Sequence, residues 1–198
     1  FHVKYLFYPY DSLRKASDSM NAFCCQSKGE YYCKISASNK EYEYVKNSKF
    51  FFVVDHAEKA IAVKKNTEAQ QQMWDIAHID SVIKTTSTKI TYKDIGHNEG
   101  EYSINLKEGV WTGIRLIFNK STYTVDRMYM SSRRSGKMYG REYKNPEIAV
   151  FYSDYSTAPA VKNVFQESAF FSETTGGGIT LSDSYKNYKL LNYLQKRS

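Results

Sequence analysis

Residues 102–130 read YSINLKEGVWTGIRLIFNKSTYTVDRMYM, and their alternation decides the fold. Tyr102, Ile104 and Leu106 alternate with polar residues until Glu108-Gly109 turns the chain. Thr112, Ile114, Leu116 and Phe118 then fall on one side, and Trp111, Gly113, Arg115 and Ile117 on the other. Asn119–Thr122 makes the next turn and Tyr123–Met130 returns. A period of two is the signature of a strand. Strands joined by connections this short must run antiparallel, because parallel neighbours need crossovers of about a dozen residues.

The same pattern extends outward in both directions. Lys89–Ile95 reads as a strand before the loop Gly96-His97-Asn98-Glu99-Gly100, and Ile148–Tyr152 as one after it. Lys49–Val54 and Lys59–Val63 are β-rich runs that pair as a hairpin about the loop 55–58. Tyr31, Cys33 and Ile35 alternate, as do Tyr42 and Tyr44, and Phe1, Val3, Tyr5 and Phe7 define a first strand. Residues 73–79 read as a further strand. Ser131–Pro146 is poor in aliphatic residues and reads as a long loop or a projecting ribbon.

Three segments carry helical spacing instead. Leu13, Ala16, Met20 and Phe23 form an apolar stripe over residues 12–24, which Asp11 or Ser12 would cap. Val161, Val164, Phe165 and Ala169 suggest a helix over Ala158–Phe171. Tyr188, Leu191 and Leu194 suggest a last one, with Lys196 and Arg197 suited to its C-terminal dipole. The expectation is a mainly β, α+β protein: an antiparallel β-barrel or strongly curved sheet with an N-terminal and a C-terminal helix. The 198 residues form one domain on this reading. Its β core occupies about 28–155, the strand-helix 1–25 and the helical region 156–198 packing on it.

Eighteen Tyr, eleven Phe and two Trp make the interior aromatic. Such rings bring large apolar area with, for Tyr, a polar tip. Phe50–Val54 is too short an apolar run to span a membrane, which takes roughly 18 residues. Collagen, coiled coil, membrane bundle and disulfide knot are excluded on the same grounds of composition and period. The chain starts at Phe1 rather than Met, which reads as a processed or trimmed product. A removed secretory signal would account for that, as would a cloning boundary.

Cys24, Cys25 and Cys33 lie within ten residues. In an oxidising compartment Cys33 pairs with one neighbour, and Cys25–Cys33 is the candidate, closing a short loop through Gly29. Three reduced thiols acting as small buried hydrophobes are the alternative. Zinc is not expected, because no second ligand pair follows at finger spacing and the four His are scattered. No cofactor signature is present, and Arg133-Arg134-Ser135-Gly136-Lys137 lacks the spacing of a P-loop.

The net charge of +7 is concentrated. Arg127, Arg133, Arg134, Lys137, Arg141 and Lys144 face only Glu142 within residues 127–144, interleaved with Tyr129, Tyr139 and Tyr143. Lys186, Lys189, Lys196 and Arg197 form a second group without acids. Arg127, Arg133, Arg134, Lys137, Tyr139, Arg141 and Tyr143 are therefore the candidate binding residues, because cations beside rings suit backbone phosphates, glycans or an anionic surface. A solvated loop is the plainer account of the same run. Alternating aromatics can also line a cavity for an apolar ligand.

His97, in its glycine-flanked loop beside Asp94 and Glu99, is the one candidate general base, with no accompanying nucleophile motif. The functional expectation is a non-catalytic secreted or periplasmic, cell-envelope binding protein for a protein, a glycan or an apolar small molecule. A basic nucleic-acid-binding protein and a small hydrolase using His97 are the alternatives.

Overall fold

The computed structural model describes residues 1–8, 16, 18–38, 40–66, 87–109, 111–133, 136–138, 141–157, 163–176 and 178–193, with the side chains of 87–88, 136–138 and 141–143 outside that description. In chain order the strands are β1 (His2–Tyr8), β2 (Asp18–Ser27), β3 (Glu30–Ala37), β4 (Lys40–Lys46), β5 (Phe50–Asp55), β6 (Ala60–Lys65), β7 (Ser87–Gly96) and β8 (Glu99–Leu106). They continue as β9 (Trp111–Asn119), β10 (Val125–Ser132), β11 (Gly136–Met138), β12 (Arg141–Tyr143), β13 (Glu147–Ser153), β14 (Phe171–Glu173), β15 (Ile179–Leu181) and β16 (Lys189–Asn192). Two single 3-10 turns, Glu167–Ala169 and Asp183–Tyr185, are the only helical elements among the described residues.

The chain divides into two compact units, Phe1–Asn21 with Ile76–Tyr155, and Ala22–Asp75 with Ser156–Ser198. In the first the strand order is β1-β13-β10-β9-β8-β7. Every pairing in it is antiparallel, with Tyr92 opposite Tyr102, Tyr102 opposite Leu116, Leu116 opposite Met128, and Met128 opposite Val150. In the second unit the order is β16-β6-β5-β4-β3-β2, antiparallel except that β16 runs parallel to β6.

The core of the second unit explains its segment 163–193. Val45, Phe50, Phe52, Val54, Ile61 and Val63 present one face of three strands, and Phe170 and Phe171 close over it. Phe52 meets Phe170 and Phe171 edge-on at ring separations of 4.9 and 5.1 Å. Such geometry adds about 0.5–1.5 kcal/mol per pair to the burial itself. Asn47 is buried and fully used: its Nδ2 donates to Phe165 O and Glu167 Oε2, and its Oδ1 accepts from Lys49 N and Phe50 N.

Three expectations are corrected. The N-terminal helix is a strand from Asp18 on, with residues 12–15 and 17 outside the described set. Asp, Ser, Asn and Cys are poor helix formers, and the turn Lys28-Gly29, both at positive φ, folds the segment onto β3 as a two-residue hairpin. Cys24 and Cys25 gain burial on opposite faces that way. The C-terminal helices are absent from the described residues: after the 3-10 turn at Glu167 the chain pairs β14 with β15, and after Asp183–Tyr185 it runs as β16. Leu190 joins the core through that strand rather than through a helix face. Pro159, Leu194, Lys196 and Arg197 lie outside the described residues, as does the strand read over 73–79.

The barrel is corrected to open sheets, since the end strands β7 and β16 each have one neighbour only. By contrast, the strands read at Lys49–Val54, Lys59–Val63, Lys89–Ile95 and Ile148–Tyr152 are present within a residue or two. The ribbon after Ser131 is the hairpin β11–β12.

Candidate binding faces and polar clusters

Alternation makes the sheet of the first unit two-faced. One side carries Ile90, Tyr92, Tyr102, Ile104, Ile114, Leu116, Met128, Met130, Ile148 and Val150 in register. Ile104 and Val150 are buried, while Ile90, Tyr92 and Tyr102 toward the β7 edge stay 50%, 52% and 41% exposed. Tyr102 stacks on Phe118 at 5.4 Å, and Tyr92 lies 5.3 Å from Tyr102. Gly100 makes that ladder possible, because a Cβ there would stand 2.7 Å from the Phe118 ring.

The opposite side carries a polar groove beside the buried Ile117 and Ala149. Ser103, Asn105, Gly113, Arg115, Tyr129 and Glu147 line a shallow groove of about 300 Å³. The Arg115 guanidinium lies 4.4 Å over the Tyr129 ring, its direct cross-strand partner. A neighbouring hollow of about 290 Å³ shares Ser131 and Glu147 and adds Arg133. These groups can hydrogen-bond a ligand, and Ser103 Oγ itself donates to Glu101 Oε1 at 3.1 Å.

The predicted basic residues part company here. Arg127 gives both carboxylate oxygens of Glu99 a hydrogen bond from one nitrogen, at 2.6 and 2.7 Å. Arg133 donates to the carbonyls of Leu106 and Lys107. Both guanidiniums therefore serve the sheet and the loop after β8. Lys137, Arg141 and Tyr143 sit on β11–β12, their side chains outside the description, and Arg134 and Tyr139 lie outside it altogether. His97 occupies the β7–β8 turn at φ 46, with no side-chain hydrogen bond or ion pair among the described residues. Its sequence neighbour Asp94 instead takes Lys120 at 2.8 Å, which with the Gly96 amide holds its carboxyl below the usual range.

A second polar cluster lies in the second unit. Glu43 is buried, accepts from Tyr32 Oη at 2.8 Å, and meets His56 Nε2 at 2.7 Å. His56 Nδ1 reaches Tyr188 Oη at 2.9 Å. Burial first, then the hydrogen bond to Glu43, pushes the Tyr32 hydroxyl well above its ordinary pKa. The signal was parity: Glu43 shares the inward phase of Val45 on β4, so it needs buried partners. Its bonds are satisfied within the protein, which makes it a fastening rather than an open site.

The expected Cys25–Cys33 bridge is not formed: all three cysteines are free thiols, and the thiol that Cys33 meets is that of Cys24. Cys33 Sγ stands 2.9 Å from Cys24 Sγ, and Tyr31 Oη lies 3.6 Å from Cys24. Cys25 turns instead into the core beside Tyr32, Phe50 and Phe52. The S–H of Cys24 directed at Cys33 pushes its own thiol up and pulls that of Cys33 down.

No family model matches the chain, and no curated protein does. Among solved structures it is similar to a DUF1329 family protein from Desulfovibrio piger, at TM-score 0.35 and 11% identity over 85% of this chain and 89% of that one. A putative outer membrane lipoprotein-sorting protein domain from Vibrio parahaemolyticus compares at TM-score 0.36 and 8% identity, over 84% and 88%. At those scores the likeness assigns no function.

Proposed function

We propose that the protein is a non-catalytic, β-rich binding protein of the cell envelope that holds an apolar, lipid-like ligand on the aromatic side of the first unit's sheet. One observation carries this reading: Ile90, Tyr92 and Tyr102 stay about half exposed on the face that continues inward as Ile104, Leu116 and Phe118. Contiguous exposed apolar surface marks an interaction site more often than chance decoration. Flat rings with hydroxyls at the rim suit a chain whose one end stays wet. The basic residues weigh less, because Arg127 and Arg133 are already engaged.

The test is a fluorescence titration with cis-parinaric acid. Replacing Ile90, Tyr92 and Tyr102 together by Thr keeps β propensity while removing the apolar surface. Affinity is expected to fall at least about tenfold, the equivalent of about 1.4 kcal/mol. Absence of binding by the unsubstituted protein, or equal affinity in the triple variant, sinks the reading. Salt-sensitive retention on DNA or heparin that Arg133→Glu abolishes would favour the polyanion alternative instead.

A further inference from the structure

The hairpin β2–β3 brings two thiols together in a way that spacing alone does not single out. Lys28 and Gly29 both have positive φ, 47° and 82°, the conformation of a two-residue type I′ turn. Counting outward from it, Ser27 faces Glu30, Gln26 faces Tyr31, Cys25 faces Tyr32 and Cys24 faces Cys33. Pairs next to such a turn alternate, starting from a hydrogen-bonded one, so Cys24 and Cys33 form a non-hydrogen-bonded pair. Cα atoms in such pairs approach to about 4.5 Å, inside the span of about 4.4–6.8 Å that a disulfide bridges. Their sulfurs stand 2.9 Å apart, closer than the roughly 3.5–4.0 Å at which even carbon atoms pack. Both residues are 2% exposed. Cys25 points to the other face of β2, into the core, and is the thiol left over.

We propose that Cys24 and Cys33 form a cross-strand disulfide when the chain folds in the presence of a disulfide oxidant, with Cys25 remaining a thiol. The oxidant is a small-molecule or protein disulfide of the glutathione or thiol-oxidoreductase class. The Cys33 thiolate, the more acidic of the two, attacks one sulfur of that disulfide, forming a mixed disulfide and expelling one thiolate. The sulfur of Cys24, on losing its proton to solvent, attacks Cys33 Sγ and expels the second thiolate. Two protein thiols are oxidised, one external disulfide is reduced to two thiols, and the two protons end on those leaving groups. Burial places the exchange before the hairpin is covered and keeps the finished bond from reductants. The bridge rests on hairpin geometry and not on the ligand reading above.

The experiment is differential alkylation of the full chain refolded in a glutathione/glutathione-disulfide buffer. N-ethylmaleimide labels open thiols under denaturing conditions, reduction follows, and iodoacetamide labels the sulfurs released. Fragment ions of the peptide containing both Cys24 and Cys25 then assign each label. The expected result is one maleimide per chain, on Cys25, with carbamidomethyl on Cys24 and Cys33. Three maleimides, or a maleimide on Cys24, overturns the proposal. Cys25→Ser provides a second measurement, expected to show no maleimide at all; two maleimides there also overturn it.

Discussion

Glu43 on β4 and His56 in the turn after β5 meet at 2.7 Å, and each holds a tyrosine hydroxyl on its far side, Tyr32 at 2.8 Å and Tyr188 at 2.9 Å. A neutral imidazole that donates from Nε2 to the carboxylate accepts from Tyr188 at Nδ1, so every group in the chain is used. Deleting a middle member orphans two partners at once. Glu43→Leu is expected to cost about 3 kcal/mol, read from the urea midpoint. Adding Tyr32→Phe should recover part of that loss, because one stranded hydroxyl is then gone. Simple addition of the two single costs would contradict the coupling.

Gly100 is held by the ring beside it. A Cβ at this position meets Phe118 Cζ at 2.7 Å and Cε1 at 2.9 Å, and Tyr92 Cε2 at 3.0 Å. Gly100→Ala is expected to destabilise by about 1–3 kcal/mol, as overpacking does, and to alter the near-ultraviolet dichroism of the stacked Tyr102. Phe118→Leu in the same chain should return most of the stability. An alanine variant as stable as the parent would show that the ladder is looser than described.

Tyr185 titrates late. Burial first, then the carboxylate of Glu43 and the hydroxyl of Tyr188, pushes its pKa from 10.0 up to about 12. A folded-state pKa above the unfolded value means its contribution is complete below pH 10, and is lost as the pH rises from 10 through about 12. The tyrosinate absorbance of the folded protein should therefore lag that of the denatured chain over this window. Tyr185→Phe is expected to flatten the alkaline loss of stability there, and an unchanged stability profile would refute the assignment.

Arg127 separates a structural from a binding role. Its pair with Glu99 is about one-third exposed on both sides, so Arg127→Ala is expected to cost at most about 1 kcal/mol, and less at high salt. Its affinity for cis-parinaric acid should match that of the parent. A tenfold loss of affinity with unchanged stability would return Arg127 to the contact surface.

Strands β7, β8, β9 and β10 were legible because each runs for eight residues or more and is bounded by turn formers. Leu116 and Phe118 fall on the apolar side by parity alone. The segments 12–24 and 158–193 misled for one reason: a spacing of three, as between Met20 and Phe23 or Tyr188 and Leu191, arises equally well along an extended chain, where Met20 stays exposed on β2 and Tyr188 lies just before β16. Short apolar stripes lack the length to tell the two periods apart. Of the basic residues, sequence located the charge but not its partners, since Glu99 lies 28 positions from Arg127.

By itself, then, the order of residues determined the strand periods, the antiparallel hairpins and the places where cations accumulate, all properties of neighbours within a few positions. Only tertiary structure decided which cations are already neutralised, which thiol Cys33 meets, and that β16 returns to β6. Those outcomes depend on groups distant along the chain arriving at one place, where burial leaves a polar or reactive atom no partner but the one folded against it.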